Sequence, residues 1–232
     1  MALKLGVPSK GRLQDKTFDW FADRGVGMER TGAGREYSGR VTGVDGVELV
    51  LLSASEIPRE LAAGRIHLGV TGQDLVAEQG HDLRQLAELG FGHADLIVAV
   101  PDFWIDVDTV DDLDAAAAAF RATHGHRLRV ATKYHNLVRR FFRERAVADY
   151  QLVDSQGATE GTVKNETAEA VADITSTGAT LRDNGLRILS DGLVLRSQAT
   201  LFAAPRAEWD AEARAAFEGL MIALGLDPET PW

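Results

Sequence analysis

The stretch Val171-Ala-Asp-Ile-Thr-Ser-Thr-Gly-Ala-Thr-Leu181 constrains this chain more than any other. A short apolar run reaches Asp173 and turns through Thr175, Ser176, Thr177 and Gly178. From Ala179 the pattern predicts a helix closed by Gly185. A strand that ends in a hydroxyl- and glycine-bearing turn and feeds a helix can cradle a phosphate. The first-turn N–H groups lack an intrahelical acceptor, and the helix dipole adds partial positive charge. Gly178 permits close backbone approach, and Thr177 and Thr180 supply hydroxyls. Asp173 stands where a carboxylate meets sugar hydroxyls or a magnesium ion. The loop holds no lysine and the Gly-x-x-x-x-Gly-Lys-Ser/Thr pattern is absent, which excludes an NTPase P-loop. An ordinary capped strand–helix turn has the same spacing, so the pattern alone leaves both readings open.

Other strand–turn–helix units follow the same grammar. Leu3–Val7 predicts a buried strand, Pro8-Ser-Lys-Gly-Arg12 a turn, and Leu13–Asp23 a helix stopped by Gly25. That turn carries Lys10 and Arg12 around Gly11. Cations at a strand's carboxyl end suit a multiply charged phosphate, and two solvated charges fit equally well. Residues 29–46 read as a loop or edge hairpin, with Arg35 on a segment able to fold over a ligand. Val47–Leu52 is a strand, and Ser55-Glu-Ile-Pro58 starts a helix. Ile66–Val70 is a strand that enters Thr71-Gly72-Gln-Asp74 and another helix. Leu86–Leu89 and Leu96–Val100 predict strands around a hinge at Gly90-Phe-Gly92. Asp111–Thr123 predicts an alanine-rich helix whose acidic residues merely solvate it. Leu128–Ala131 is a strand, Thr132-Lys133-Tyr134 a turn bearing another strand-end cation, and Asn136–Arg145 a helix. Tyr150–Val153 precedes the turn-rich segment that contains Glu160. Leu186–Leu189, Leu193–Leu195 and Thr200–Ala203 predict short strands. Pro205 opens a last helix with Trp209, Ala213, Phe217, Leu220 and Leu224 on one apolar face.

Alternating strands and helices imply an α/β protein, and glycine-, hydroxyl- or cation-bearing turns at strand ends point to one crevice. The hinge and a return near Asn184 divide the expected lobes into 1–92 with 184–232, and 93–183. The chain has no cysteine, which excludes disulfides and thiolate chemistry, and its six histidines show no metal-ligand spacing. The N-terminus lacks a charged segment before a long apolar run, and no stretch approaches the ~20 apolar residues of a membrane span. These features predict a soluble, cytoplasmic protein. A net charge of −10 argues against nucleic acid. Residues 1–40 carry eight Lys/Arg and five Asp/Glu, 8 − 5 = +3, leaving −13 for the remainder. The basic segment suits an anion.

The motifs Val7-Pro-Ser-Lys-Gly-Arg-Leu13, Gly69-Val-Thr-Gly-Gln-Asp74, Val130-Ala-Thr-Lys-Tyr134, Gly157-Ala-Thr-Glu-Gly161 and Asp173-Ile-Thr-Ser-Thr-Gly-Ala-Thr-Leu181 occur in this order. In order and spacing, over nearly the whole chain, the sequence resembles ATP phosphoribosyltransferase, the first enzyme of histidine biosynthesis. The resemblance implies two α/β lobes like those of type II periplasmic binding proteins, with the active site in the cleft between them. It implies ATP and phosphoribosyl pyrophosphate as substrates and magnesium held through substrate phosphates. By the family pattern Thr175, Ser176, Thr177, Gly178, Ala179 and Thr180 bind the 5-phosphate, with Asp173 near the ribose. Lys10, Arg12 and Arg35 are the catalytic cations, and Gly11, Thr71, Gly72, Lys133 and Glu160 line the region of ATP and pyrophosphate. Many members carry an acidic residue where this chain has Ser176; others carry serine. The chain ends about thirty residues after Leu201, which resembles the short form of the family. That form implies a homodimer and a regulatory subunit resembling histidyl-tRNA synthetase. A non-catalytic two-lobed protein that binds a small anion is the alternative expectation.

Overall fold

A computed structural model describes residues 2–30, 38–155 and 157–228. Its contacts divide the chain into two α/β units. The first comprises the described residues up to Gly92 and those from Gln198 on; the second is His93–Ser197.

In the first unit, β1 (Leu3–Pro8) runs parallel between β4 (Val47–Leu52) and β5 (Leu68–Gly72). Strands buried on both faces need nearly continuous apolar runs. Leu-Lys-Leu-Gly-Val-Pro and Leu-Gly-Val-Thr-Gly supply them. The expected edge hairpin is β2 (Gly27–Arg30) paired antiparallel with β3 (Ser38–Thr42), which continues onto β4. On the other side β12 (Ala199–Ala203) pairs antiparallel with β5 and β6 (Arg84–Glu88), giving the order β2-β3-β4-β1-β5-β12-β6. Helices α1 (Gly11–Ala22) and α8 (Ala211–Leu224) supply Phe21, Phe217, Leu220, Met221 and Leu224 to the core with Leu3, Leu5 and Leu49. A second cluster holds Ile57 and Leu61 of α2 (Ile57–Ala62) and Val76 of α3 (Gln73–Gln79) against Ile66 and Phe202. Fully burying one such aliphatic side chain stabilises by about 1.5–3 kcal/mol.

The second unit is built on a five-stranded sheet in which β11 (Leu186–Ser197), β7 (Ala94–Pro101), β10 (Ala170–Thr175), β8 (Leu128–Thr132) and β9 (Tyr150–Asp154) lie side by side in that order. Here β7 is antiparallel to β10, while β8 lies parallel between β10 and β9. Leu181 of α7 (Ala179–Asp183) packs with Ile97, Ala99, Ala131 and Val171. Leu113 of α4 (Val110–His124) and Phe142 of α5 (His135–Glu144) are also buried. The four-residue α6 (Gly161–Lys164) follows β9.

Three expectations change. The two short strands at 186–195 are one strand, β11 (Leu186–Ser197), interrupted by register shifts and hydrogen-bonded along β7. That pairing assigns residues 184–197 to the second unit, so the chain returns at Ser197/Gln198 rather than near Asn184. The last helix starts at Ala211, not Pro205, because the Asp210 carboxylate caps it by accepting from Ala213 N–H at 2.8 Å. Trp209 precedes it, and its indole donates to the Ala204 carbonyl at 3.0 Å.

Candidate active site

The candidate residues fall into two sets, one at the carboxyl ends of each unit's parallel strands. In the first unit, β1 ends at Pro8 and the chain enters α1 through Ser9 and Lys10. Ser9 N–H donates to the Leu52 carbonyl at 2.7 Å, which ties this turn to the end of β4. Lys10 is the extended residue before the helix, and no side chain caps the first turn. Gly11 has φ +75°, and nothing lies within 4 Å of where its Cβ would stand. Lys10, Gly11 and Arg12 are all exposed. The turn therefore presents two cations and uncapped helix amides together, an arrangement suited to phosphate.

Arg30, at the end of β2, carries no signal of its own in the sequence. Its guanidinium donates to the Ser9 carbonyl and, at 3.0 Å, to Gln14 Oε1. It ties β2 to the turn at Ser9 and to α1 at Gln14, a link between strand and helix that no local pattern announces. Thr71 is fully buried and its hydroxyl donates to the Ala54 carbonyl at 2.8 Å, so its side chain shapes the ends of β4 and β5. Gly72 is the extended residue before α3. Arg35 lies outside the described residues.

In the second unit, Ala172 and Thr132 are register partners, so Asp173 and Lys133 stand side by side at the ends of β10 and β8. Lys133 Nζ is 3.9 Å from Asp173 Oδ2, and Asp173 Oδ1 accepts from Ile174 N–H at 2.8 Å. The buried Thr132 hydroxyl accepts from Tyr134 N–H at 2.9 Å and fixes the turn that carries Lys133. At the neighbouring end of β9, His135 Nε2 lies 3.3 Å from Asp154 Oδ1, and the buried Ser155 and Thr159 hydroxyls are 3.1 Å apart. Glu160 stands immediately before α6.

The loop after β10, expected to present free first-turn amides, satisfies part of its own hydrogen bonding. Gly178 N–H donates to Thr175 Oγ1 at 2.8 Å, and Ala179 N–H to Thr177 Oγ1 at 3.3 Å. Ser176 Oγ donates to the His93 carbonyl at 3.0 Å. Among the described residues the amides of Thr177 and Thr180 carry no such bond. Gly178 adopts φ +69°, ψ 4°, the left-handed conformation natural to glycine. A Cβ there would lie 3.0 Å from the Arg182 guanidinium. Helix α7 has five residues, so its dipole is weak, and an anion at this loop would meet chiefly local amides and hydroxyls.

Comparison with known proteins decides what these two sets belong to. Residues 53–224 match the model of the HisG family, ATP phosphoribosyltransferase. An ATP phosphoribosyltransferase from Cereibacter sphaeroides is 72% identical over 230 residues, which cover 97% of each chain. This chain belongs to the ATP phosphoribosyltransferase family. It spans 66% of the length of other curated relatives with that description, at 51% identity. A solved ATP phosphoribosyl transferase (HisG:HisZ) complex from Thermotoga maritima shares the fold, with a TM-score of 0.74, 21% identity and 96% coverage of both chains. A probable amino-acid ABC transporter extracellular-binding protein from Bacillus subtilis also superimposes, with a TM-score of 0.50 and 9% identity, over 96% of this chain and 90% of that one. The two-unit α/β architecture is therefore common to this enzyme family and to binding proteins of transporters.

Magnesium in such a family meets a modest donor set here. Among the described residues no three His, Asp or Glu side chains cluster as a metal cage. Asp173, at 13% side-chain exposure, is a single carboxylate at the loop. That fits an ion whose usual mode is one or two carboxylates plus substrate phosphates and water.

Proposed function

We infer that the chain transfers the 5-phosphoribosyl group of phosphoribosyl pyrophosphate to N1 of ATP, releasing pyrophosphate and committing carbon to histidine. Membership of the family carries this reading and favours it over a non-catalytic anion-binding protein. In the residue assignment, the free amides of Thr177 and Thr180 bind the 5-phosphate in a loop held open by Gly178. The hydroxyls of Thr175 and Thr177 preserve the loop's shape while their remaining lone pairs and protons face solvent or ligand. Asp173 takes the ribose hydroxyls and serves as the carboxylate for magnesium, with Lys133 balancing its charge. Lys10, Gly11 and Arg12 bind phosphates of pyrophosphate or ATP, with Arg35 in the same role. Gly72 and Glu160 border the nucleotide, and Thr71 acts through the backbone it positions.

The chemistry asks little of a general base. N1 of neutral adenine carries a lone pair, so attack on C1 needs no prior deprotonation. The demands are to place two anions together and to stabilise charge that grows on the departing pyrophosphate. Guanidinium, ammonium and fixed amides meet them, and magnesium, when bound, neutralises phosphate charge in the same sense. We further propose that the protein is cytoplasmic and works as a homodimer with a regulatory subunit resembling histidyl-tRNA synthetase. Support for a partner comes from the Thermotoga maritima structure, which is a HisG:HisZ complex. The test is an assay of phosphoribosyl-ATP formation from ATP, phosphoribosyl pyrophosphate and magnesium, with and without that subunit. Product that requires both substrates is expected. No product under either condition overturns the assignment.

A further inference from the structure

The amino-terminal end of β8 and β9 carries a feature that the transferase reaction does not use. Arg127 precedes β8, Tyr150 opens β9, and α5 supplies Arg139 and Arg143. Four residues apart, these two share a helix face. With Ala146 they border an open depression of about 630 Å³, within the ~300–1,000 Å³ range of small-molecule sites. Lys133 and Asp154 lie at the opposite ends of the same two strands, roughly 15 Å away at ~3.3 Å per strand residue.

Among the described residues, Arg127, Arg139 and Arg143 have no carboxylate partner. Of the nearby acids, Asp149 pairs with Arg121 and Glu169 with Arg129. Three unpaired guanidiniums thus face one concavity in a protein of net charge −10. Their platform is firm. Val138 and Phe142 of α5 are fully buried, and Phe142 meets the Tyr150 ring edge-on at 4.7 Å. Burial pushes the Tyr150 phenol up, against the opposing charges of Arg139, Arg143 and Arg127.

The wall also contains an unusual backbone. Helices α3, α4 and α8 each end on a left-handed glycine: Gly80, Gly125 and Gly225. After α5 that conformation falls on Ala146, with φ +57°. Its N–H donates to the Arg143 carbonyl at 3.2 Å, and Val147 N–H to the Phe142 carbonyl at 3.0 Å. A side chain in this region is disfavoured relative to glycine, so the Ala146 methyl is placed in the wall against the local preference.

We propose that this depression is a second anion site, separate from the 175–180 loop, that takes a di- or triphosphate chain. Guanidiniums one helical turn apart offer planar forks to successive phosphates, and Arg127 and Tyr150 close the third side. The chain arrives either free or on a nucleotide.

The test titrates the full-length protein with inorganic tripolyphosphate and follows backbone amide chemical shifts. Saturable shifts at Ala146, Val147 and Tyr150 are expected. Affinity read at those amides should fall about tenfold or more for each guanidinium lost, and so about a hundredfold or more in the Arg139→Gln/Arg143→Gln variant, since two charge-assisted bonds are removed. Shifts at Thr177 and Thr180 should persist there, which separates this site from the catalytic one. Both substitutions are at exposed positions, so the fold should survive them. Cytidine triphosphate distinguishes the sources: tighter binding than tripolyphosphate assigns a nucleotide, and equal binding assigns the bare chain. Unchanged affinity in the double variant overturns the proposal. So does a response confined to residues 175–180 and 10–12, or binding of poly-glutamate without binding of tripolyphosphate, which would mark the face as a protein-docking surface.

Discussion

Gly178 is the residue at which geometry and chemistry meet most closely. Its φ of +69° strains any L side chain, and an added Cβ would crowd the Arg182 guanidinium at 3.0 Å and Ile188 at 3.6 Å. Gly178→Val should therefore distort the turn that exposes the Thr177 and Thr180 amides. The expected outcome is a fall in turnover of ~10²–10³, the usual cost of losing one preorganised donor, with weakened affinity for phosphoribosyl pyrophosphate. Calorimetry with the ribosyl donor measures it, and unchanged affinity would remove the loop from the site. The residue identities of this loop were legible in sequence because hydroxyl, glycine and helix onset are all local signals. Its internal hydrogen bonds were not: whether Thr177 turns outward or accepts from Ala179 depends on backbone angles that composition does not specify. Arg30 was opaque for a different reason. Its partners, Ser9 and Gln14, are brought to it by strand β2, and nothing in a Glu-Arg-Thr context distinguishes such an arginine from a solvated one.

At the scale of elements, the acidic stretch that runs into α4 does more than solvate the helix. Its carboxylates are placed individually. Thr109 Oγ1 accepts from Asp112 N–H at 3.2 Å, and Asp112 accepts from Thr109 N–H at 2.8 Å, a reciprocal capping box. The Asp112 carboxyl is held below its usual range, chiefly by the Thr109 hydroxyl and then by the Thr109 and Asp108 amides. Asp191 accepts from Val110 N–H at 2.8 Å, Asp114 from Ala148 N–H at 2.9 Å, and Asp108 pairs with Arg187 at 3.1 Å. Thr109→Ala should cost about 1 kcal/mol in chemical denaturation, the typical loss for an N-cap, with activity unaltered. A change below a few tenths of that value would show the cap to be redundant with Asp191. The pattern Thr-Val-Asp-Asp was available in the sequence, with aspartate in place of the usual glutamate. By contrast, the continuity of β11 was hidden because polar Ser190 and Asp191 interrupt its apolar pattern. Only pairing with β7 on both sides of that break makes it one strand.

Across the molecule, each unit is closed by a buried or half-buried titratable group, and the two groups fail on acidification in different windows. In the first unit His67 is 3% exposed and joins three parts of the chain. Its Nδ1 accepts from Lys4 N–H at 3.0 Å, and its Nε2–H reaches the Glu208 carbonyl at 3.1 Å. Its ring also meets Trp209 edge-on at 5.0 Å. Only the neutral ring satisfies both bonds, since a proton on Nδ1 would point at the Lys4 amide. Its pKa is accordingly lowered from 6.5, first by burial and against the pull of the Glu208 carbonyl. The unfolded chain then binds the proton more readily, so stability falls as pH drops through the unfolded value towards the folded one. In the second unit the Glu169 carboxyl is also lowered, from 4.5. Burial acts to raise it, but the side-chain and backbone bonds from Arg129, with its charge, outweigh that effect. Its contribution persists above the unfolded value and is lost only below it. Acid should therefore weaken the first unit from about pH 6.5 downward while the second holds to below about pH 4.5. Hydrogen exchange resolved by residue measures both limbs. His67→Gln should lower stability at pH 8, because Lys4 N–H and the Glu208 carbonyl lose their matched partner, and should flatten the slope between about pH 7 and 5. If the slope survives the substitution, protonation elsewhere drives the transition, and His67 is a packing residue rather than the group that sets the acid limit of the first unit.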